Sequence, residues 1–200
     1  RPLIAGVRLD GAKLKMRADA GGVSFGSLDR LIPPDRSTRF PALQVDAADA
    51  VIMLLTPAGT IDARIDATGQ LDRDFRATGR TAAIALRWAN CNATIPDARF
   101  TINTAGRDFA VAAKGRLVGG ACHGATAPAA AWTLAVGAPI ALTQLSARAS
   151  LTAAQASAVG TTLSGLALDA ALEGPPARLH GHWAASLAGL THGPDRAGRT

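Results

Sequence analysis

Polar and apolar residues alternate with a period of two through most of this chain, and no other feature constrains the fold as tightly. From 12 to 19, Ala12, Leu14, Met16 and Ala18 point one way while Lys13, Lys15, Arg17 and Asp19 point the other. Between Gly59 and Gly69, Ile61, Ala63, Ile65 and Ala67 oppose Thr60, Asp62, Arg64, Asp66 and Thr68. The same period runs through 3–10, 43–47, 71–77, 100–103, 109–117, 145–150, 166–173 and 178–187. It predicts a dozen or so strands, each apolar on one face and wet on the other.

Turn chemistry separates these runs at Asp10-Gly11, Gly21-Gly22, Pro57-Ala58-Gly59, Gly69, Ala105-Gly106-Arg107, Gly119-Gly120 and Glu173-Gly174-Pro175-Pro176. Connections this short imply mostly antiparallel neighbours. One or two very short helices are expected: Ser27 to Ile32, capped by Ser27 and stopped by Pro33-Pro34, with the alanine-rich Thr152 to Val159 as the candidate for a second. The segments 33–39 and 125–131 and the Pro175-Pro176 step are candidate boundaries, but the strand rhythm resumes after each. The expected architecture is therefore all-β: one elongated, curled antiparallel sheet over 1–190, followed by a disordered polar tail at 191–200.

A sheet apolar on one side must hide that side, because each Å² left wet forfeits about 25 cal/mol. Hydrophobic residues make up 48% of the chain and charged residues 18%, with mean hydropathy +0.16, which excludes a disordered protein. Apolar runs such as 50–55 and 127–132 are too short to span a bilayer as a helix. No long amphipathic helix is present to cover the sheet. A second sheet, closure into a barrel, a coil, or a bound apolar ligand remain as covers. The inward positions are mostly Ala, Val and Ile, so a single curled sheet would leave methyl-lined volume suited to acyl chains. Two sheets lined by small residues would also pack closely without a ligand.

The formal charge is +6, but Arg8, Arg17, Arg64, Arg76, Arg116, Arg148 and Arg178 are dispersed along the chain. With 4% aromatics and no Tyr, no nucleic-acid footprint is expected, and mild attraction to anionic headgroups is the natural use of the charge. No nucleophile elbow occurs, and the histidines stand at His123, His180, His182 and His192. His180 and His182 share a strand face with Arg178 and read as solvated surface rather than as a metal pair. Glu173 is the sole glutamate, and the pairs Asp72/Asp74, Asp46/Asp49 and Asp62/Asp66 fit wet strand or turn positions. Gly21-Gly22 and Gly119-Gly120 lack the Lys-Ser or Lys-Thr of a phosphate loop. The Asn92-Ala93-Thr94 sequon is too short a pattern to carry a function. No catalysis, metal or cofactor is expected. Trp88, Trp132 and Trp183 suit either a groove rim or caps on a β core. Cys91 and Cys122 form one disulfide or two buried thiols, and the disulfide is the expected state.

The order of these pieces resembles a known family. The residues that carry the likeness are Val7-Arg8-Leu9-Asp10-Gly11-Ala12, Gly26-Ser27-Leu28-Asp29-Arg30-Leu31-Ile32-Pro33, Pro41-Ala42-Leu43-Gln44-Val45 and Thr56-Pro57-Ala58-Gly59. Gly69-Gln70-Leu71, Phe75, Cys91 and the stretch from Gly115 through Cys122-His123-Gly124 extend it over roughly the first 125 residues. In these the chain resembles the AsmA-like intermembrane phospholipid transport proteins of Gram-negative bacteria, specifically the YdbH-like branch labelled for dicarboxylate transport.

That resemblance implies a trough of repeating β-sheet crossing the periplasm, in which phospholipid slides along apolar strand faces without covalent chemistry. It implies an inner-membrane anchor at the N-terminus and a possible outer-membrane lipoprotein or other envelope partner. The chain begins Arg-Pro-Leu, so it is expected to be a piece of a longer protein whose anchor lies upstream. On this reading Leu14, Met16, Ile61, Ile65, Phe75, Phe100, Ile102, Phe109 and Val111 line the groove, and an oxidising periplasm permits a Cys91 to Cys122 bridge. The alternative expectation is a secreted β-sandwich or β-helix segment, structural or adhesive, whose apolar face packs internally against protein.

Overall fold

A computed structural model describes residues 6–19, 22–24, 42–56, 59–139, 141 and 143–192. All the regular structure in it is strand. In chain order the strands are β1 (Gly6–Asp10), β2 (Lys13–Asp19), β3 (Gly22–Ser24), β4 (Gln44–Thr56), β5 (Gly59–Gln70), β6 (Arg76–Thr81), β7 (Ile84–Trp88) and β8 (Cys91–Ile95). They continue as β9 (Ala98–Ala105), β10 (Asp108–Cys122), β11 (Ala125–Pro139), β12 (Leu145–Ala158), β13 (Thr161–Gly174), β14 (His180–Ser186) and β15 (Gly189–His192). All fifteen belong to one curled sheet that does not close.

Register shows that the fifteen strands are fewer, longer ribbons. β6 and β7 pair with β9 and β8 in one unbroken hairpin register, from Arg76 opposite Asn103 to Trp88 opposite Cys91. The hairpin is interrupted only at Ala82-Ala83 and at Pro96-Asp97, where proline has no N–H to give the ladder. β14 and β15 likewise keep a single register on β13. β1 and β2 keep one register on β4, from Gly6 opposite Gln44 to Arg17 opposite Leu55. Four lanes thus hold two strands each, and the sheet is eleven lanes wide, or about 48 Å at the usual strand spacing.

Several expectations change. Of the strand expected at 71–77, residues 71–74 form the turn between β5 and β6, and β6 starts only at Arg76. The sheet is mixed, because β1 and β2 run parallel to β4, which the long connection between β3 and β4 permits. Thr152 to Val159 is no helix: 152–158 belong to β12, where Thr152 through Ala158 pair with Ala167 through Thr161. Alanine's helical preference loses there to a ladder already set by its neighbours. Gly119-Gly120 is not a hairpin turn but lies inside β10, with Gly119 at φ 61°. The hairpin closes four residues later at His123-Gly124, whose φ values of 48° and 82° make the two-residue turn that matches strand twist. Val159-Gly160 does the same between β12 and β13, at 46° and 73°.

The expected boundary at 125–131 falls within β11, and β15 carries the sheet to His192, two residues into the expected tail. The expected helix at Ser27 to Ile32 lies outside the described residues.

The core is built from small side chains. Ala50, Ala63, Ile65, Ala77, Ile84, Ala98, Ala130, Ala138, Ala153 and Ala156 are buried, and among the described residues no large side chain is wholly enclosed. Buried residues pack together in a cluster of Ala50, Ile65 and Ala77, onto which Phe75, Phe100, Ile102 and Ile52 fold. Gly79 makes this possible. It sits directly opposite Phe100, whose ring lies over it, and a Cβ there would meet that ring and the Arg64 carbonyl oxygen at 2.5 Å. Gly79→Ala is expected to destabilise the fold by about 1–3 kcal/mol through overpacking, measured as a shift in the urea midpoint. An unchanged midpoint would show that the ring is free to move.

Candidate functional site

Directly opposed residues in a ladder share a face, so register alone traces the apolar side across the sheet. One path runs from Leu14 to Ile52 to Ala63, and a second from Met16 to Leu54 to Ile61. A third runs from Ala50 to Ile65, Gly79, Phe100, Ala113, Leu134, Ala149, Ala170 and Trp183. Ile102 with Val111 and Val136, and Phe109 with Ala138, lie on the same side. Phe75 precedes β6 and packs on the Ile65 cluster. All nine expected groove residues therefore stand on one continuous apolar face.

They do not all stand in an open groove. Ile65 is only 8% exposed, and Phe75, Phe100 and Ile102 fold onto its cluster, so this half of the face is filled by its own side chains. The open part lies further along the chain. A trough of 570 Å³ is lined by Leu86, Ile95, Leu117, Trp132, Leu134, Leu151, Leu168 and Trp183. Leu134 and Leu168 are each 36% exposed, and Trp183 is 75% exposed. No second layer of described residues covers these side chains. Leu117, Leu168 and Trp183 lie in runs whose alternation reads as strand, whereas Leu86, Ile95, Trp132 and Leu134 lie on strands that the alternation did not mark, and strand rhythm does not tell an open apolar position from a packed one.

Trp132 forms the trough floor and lies over Gly115, its partner on β10; its buried Nε1 has no hydrogen-bond partner. Two alanine positions behind it, Ala130 and Ala153, are closed. A second concavity, of 500 Å³, opens at one end of the strands beside Phe109, Ala138 and Leu145.

One side of the trough is held covalently. Cys91 of β8 and Cys122 of β10 face each other in register and are disulfide-bonded, with their Cα atoms 4.1 Å apart. The bond ties the β7/β8 arm, which supplies Leu86 and Ile95, to the main sheet. His123 stands next to it, but with both sulfurs bonded the trio offers an ion no thiolate. His180 and His182 are exposed on the opposite, polar face, opposite Glu173 and Ala171.

The polar face is stabilised by cross-strand hydroxyl pairs, Thr126 with Ser157 at 2.6 Å and Thr133 with Ser150 at 2.7 Å, and by an exposed Arg64–Asp49 ion pair at 3.1 Å. Such contacts fix register more than they add stability.

Fold and site together define an open, single-layer β-trough with one apolar face. No family model matches the chain, and neither a curated protein nor a solved structure matches it.

Proposed function

We propose that the trough binds phospholipid acyl chains, and that the chain is a periplasmic segment of a bridge-like lipid transport protein working between the inner and outer membranes. The observation that carries this reading is the uncovered wall of Leu134, Leu168 and Trp183 around 570 Å³ of apolar space. That volume falls in the range of about 300–1,000 Å³ usual for small-molecule sites. A contiguous apolar surface of this kind marks a site that something occupies. Acyl chains would lie against the leucines while headgroups stayed at the open mouth.

The likeness of 7–124 to AsmA-like proteins supports the same reading, as does the Cys91–Cys122 bond, which suits an oxidising compartment. β3 and β14 end the sheet without a further partner among the described residues, so lanes added at either side would lengthen the trough. An inner-membrane anchor and an outer-membrane lipoprotein partner belong to this proposal. The secreted sandwich or β-helix alternative requires a protein layer over the leucine wall, and the described residues supply none.

Protein purified from a Gram-negative periplasm is expected to carry phospholipid detectable by native mass spectrometry. The double variant Leu134→Asp/Leu168→Asp should keep its β circular dichroism and lose the lipid. Wild-type protein that is free of lipid would overturn the proposal.

A further inference from the structure

The polar face gathers cations that are far apart in the chain. Arg64 stands opposite Arg80, Arg80 opposite Arg99, and Arg99 opposite Lys114, so four positive side chains occupy one row across β5, β6, β9 and β10. All four are exposed. At the usual spacing between strands the row is about 14 Å long. Like charges directly opposite each other destabilise a sheet, and here three such pairs are consecutive. Only Arg64 has an acidic partner, Asp49. Arg80, Arg99 and Lys114 form no ion pair among the described residues. The row also lines a concavity of 800 Å³, together with Thr78, Thr101 and Thr133 and, at its Arg64 end, the carboxylates of Asp49 and Asp66.

We propose that this row is a binding site for a compact, multivalent phosphate anion. Guanidinium forks meet phosphate oxygens through paired, charge-assisted hydrogen bonds, and three forks beside an ammonium match a string of phosphates better than a single carboxylate. The threonine hydroxyls of the same concavity can donate to the remaining oxygens. Bound phosphate would cancel the repulsion that the empty row carries. Because the cations line a hollow, a small anion can touch several of them at once, which suits it better than a flat bilayer surface. The site lies on the face opposite the leucine trough and does not depend on what that trough holds.

Inorganic tripolyphosphate titrated calorimetrically into the wild-type protein at low ionic strength tests this. Arg80→Gln/Arg99→Gln should weaken binding at least about tenfold, since each charged hydrogen bond removed is worth about that factor. Arg107→Gln, in the turn between β9 and β10, should leave it unchanged. Without anion the double variant should melt at or above the wild-type temperature, and tripolyphosphate should raise the melting temperature of the wild type alone. The proposal is overturned by absent binding, by equal loss in Arg107→Gln, or by a double variant that melts lower without anion. It is also overturned if the row binds phosphatidylglycerol vesicles and not tripolyphosphate.

Discussion

Ile65→Asp should unfold the chain at a denaturant concentration where the wild type is fully native. Ile65 is 8% exposed and packs with Ala50 and Ala77 beneath Phe75, Phe100 and Ile102. A carboxylate there loses the isoleucine's transfer energy and is itself stripped of water without a partner. The two effects together cost at least about 4 kcal/mol. Typical domains hold only about 5–15 kcal/mol in total, so a large share of the margin disappears. Leu168→Asp makes the same chemical change on the same face at 36% exposure, where water still reaches the carboxylate. Its cost should stay near 1 kcal/mol, in line with ordinary surface changes. Urea midpoints of the two variants, measured side by side, give the comparison. If Ile65→Asp proved no more costly than Leu168→Asp, the cluster would not be the structural core.

The same contrast separates stability from function. Ile65 and Leu168 share a face, yet only Leu168 lines open space, so only its substitution reports on a ligand. Lipid loss in Ile65→Asp would follow from unfolding and would say nothing about the trough.

Period-two alternation placed ten of the fifteen strands, because a half-buried strand writes its burial directly into successive residues, and it missed β3, β7, β8, β11 and β15. The expected strand at 60–68 is β5, Gly59–Gln70, with the facing residues as read. What escaped depends on partners rather than on the strand itself. Nothing local in Thr152–Val159 reveals that β13 waits alongside it. Gly119-Gly120 has the composition of a turn, and only the pairing of Gly120 with Ala127 and Cys122 with Ala125 moves the turn to His123-Gly124.

The candidate sites divide in the same way. The nine groove residues were legible as one apolar face, since alternation assigns faces strand by strand. Which of them are packed and which are open was not, because that depends on curl and on rings lying over glycines such as Gly79 and Gly115. The cation row was invisible for a stronger reason. Arg64, Arg80, Arg99 and Lys114 look dispersed along the chain, and only a register accurate to one residue over four lanes aligns them. A slip of one residue on any lane would turn that cation to the apolar side.

Removing the disulfide should cost about 3–4 kcal/mol and should act locally first. The bond closes a loop of 31 residues, and constraining a loop of that length in the unfolded chain accounts for the estimate. For a domain of this size the melting temperature should fall by roughly 7–15 °C. Where the damage appears follows from pairing: β9 meets β10 at eight consecutive positions, from Asp108 to Gly115, whereas β8 meets it only at Val118, Ala121 and Cys122. With so few ladder contacts, the β7/β8 arm depends on the covalent link. In Cys91→Ser/Cys122→Ser, amide exchange should therefore accelerate across Ile84–Ile95 while Ala98–Ala105 stays protected. Leu86 and Ile95 would leave the trough with the arm, so lipid retention should drop in the double variant although the leucine wall on β11 and β13 is intact. Uniform exchange across both arms would show instead that the bond stabilises the sheet as a whole and does not hold one wall of the trough in place.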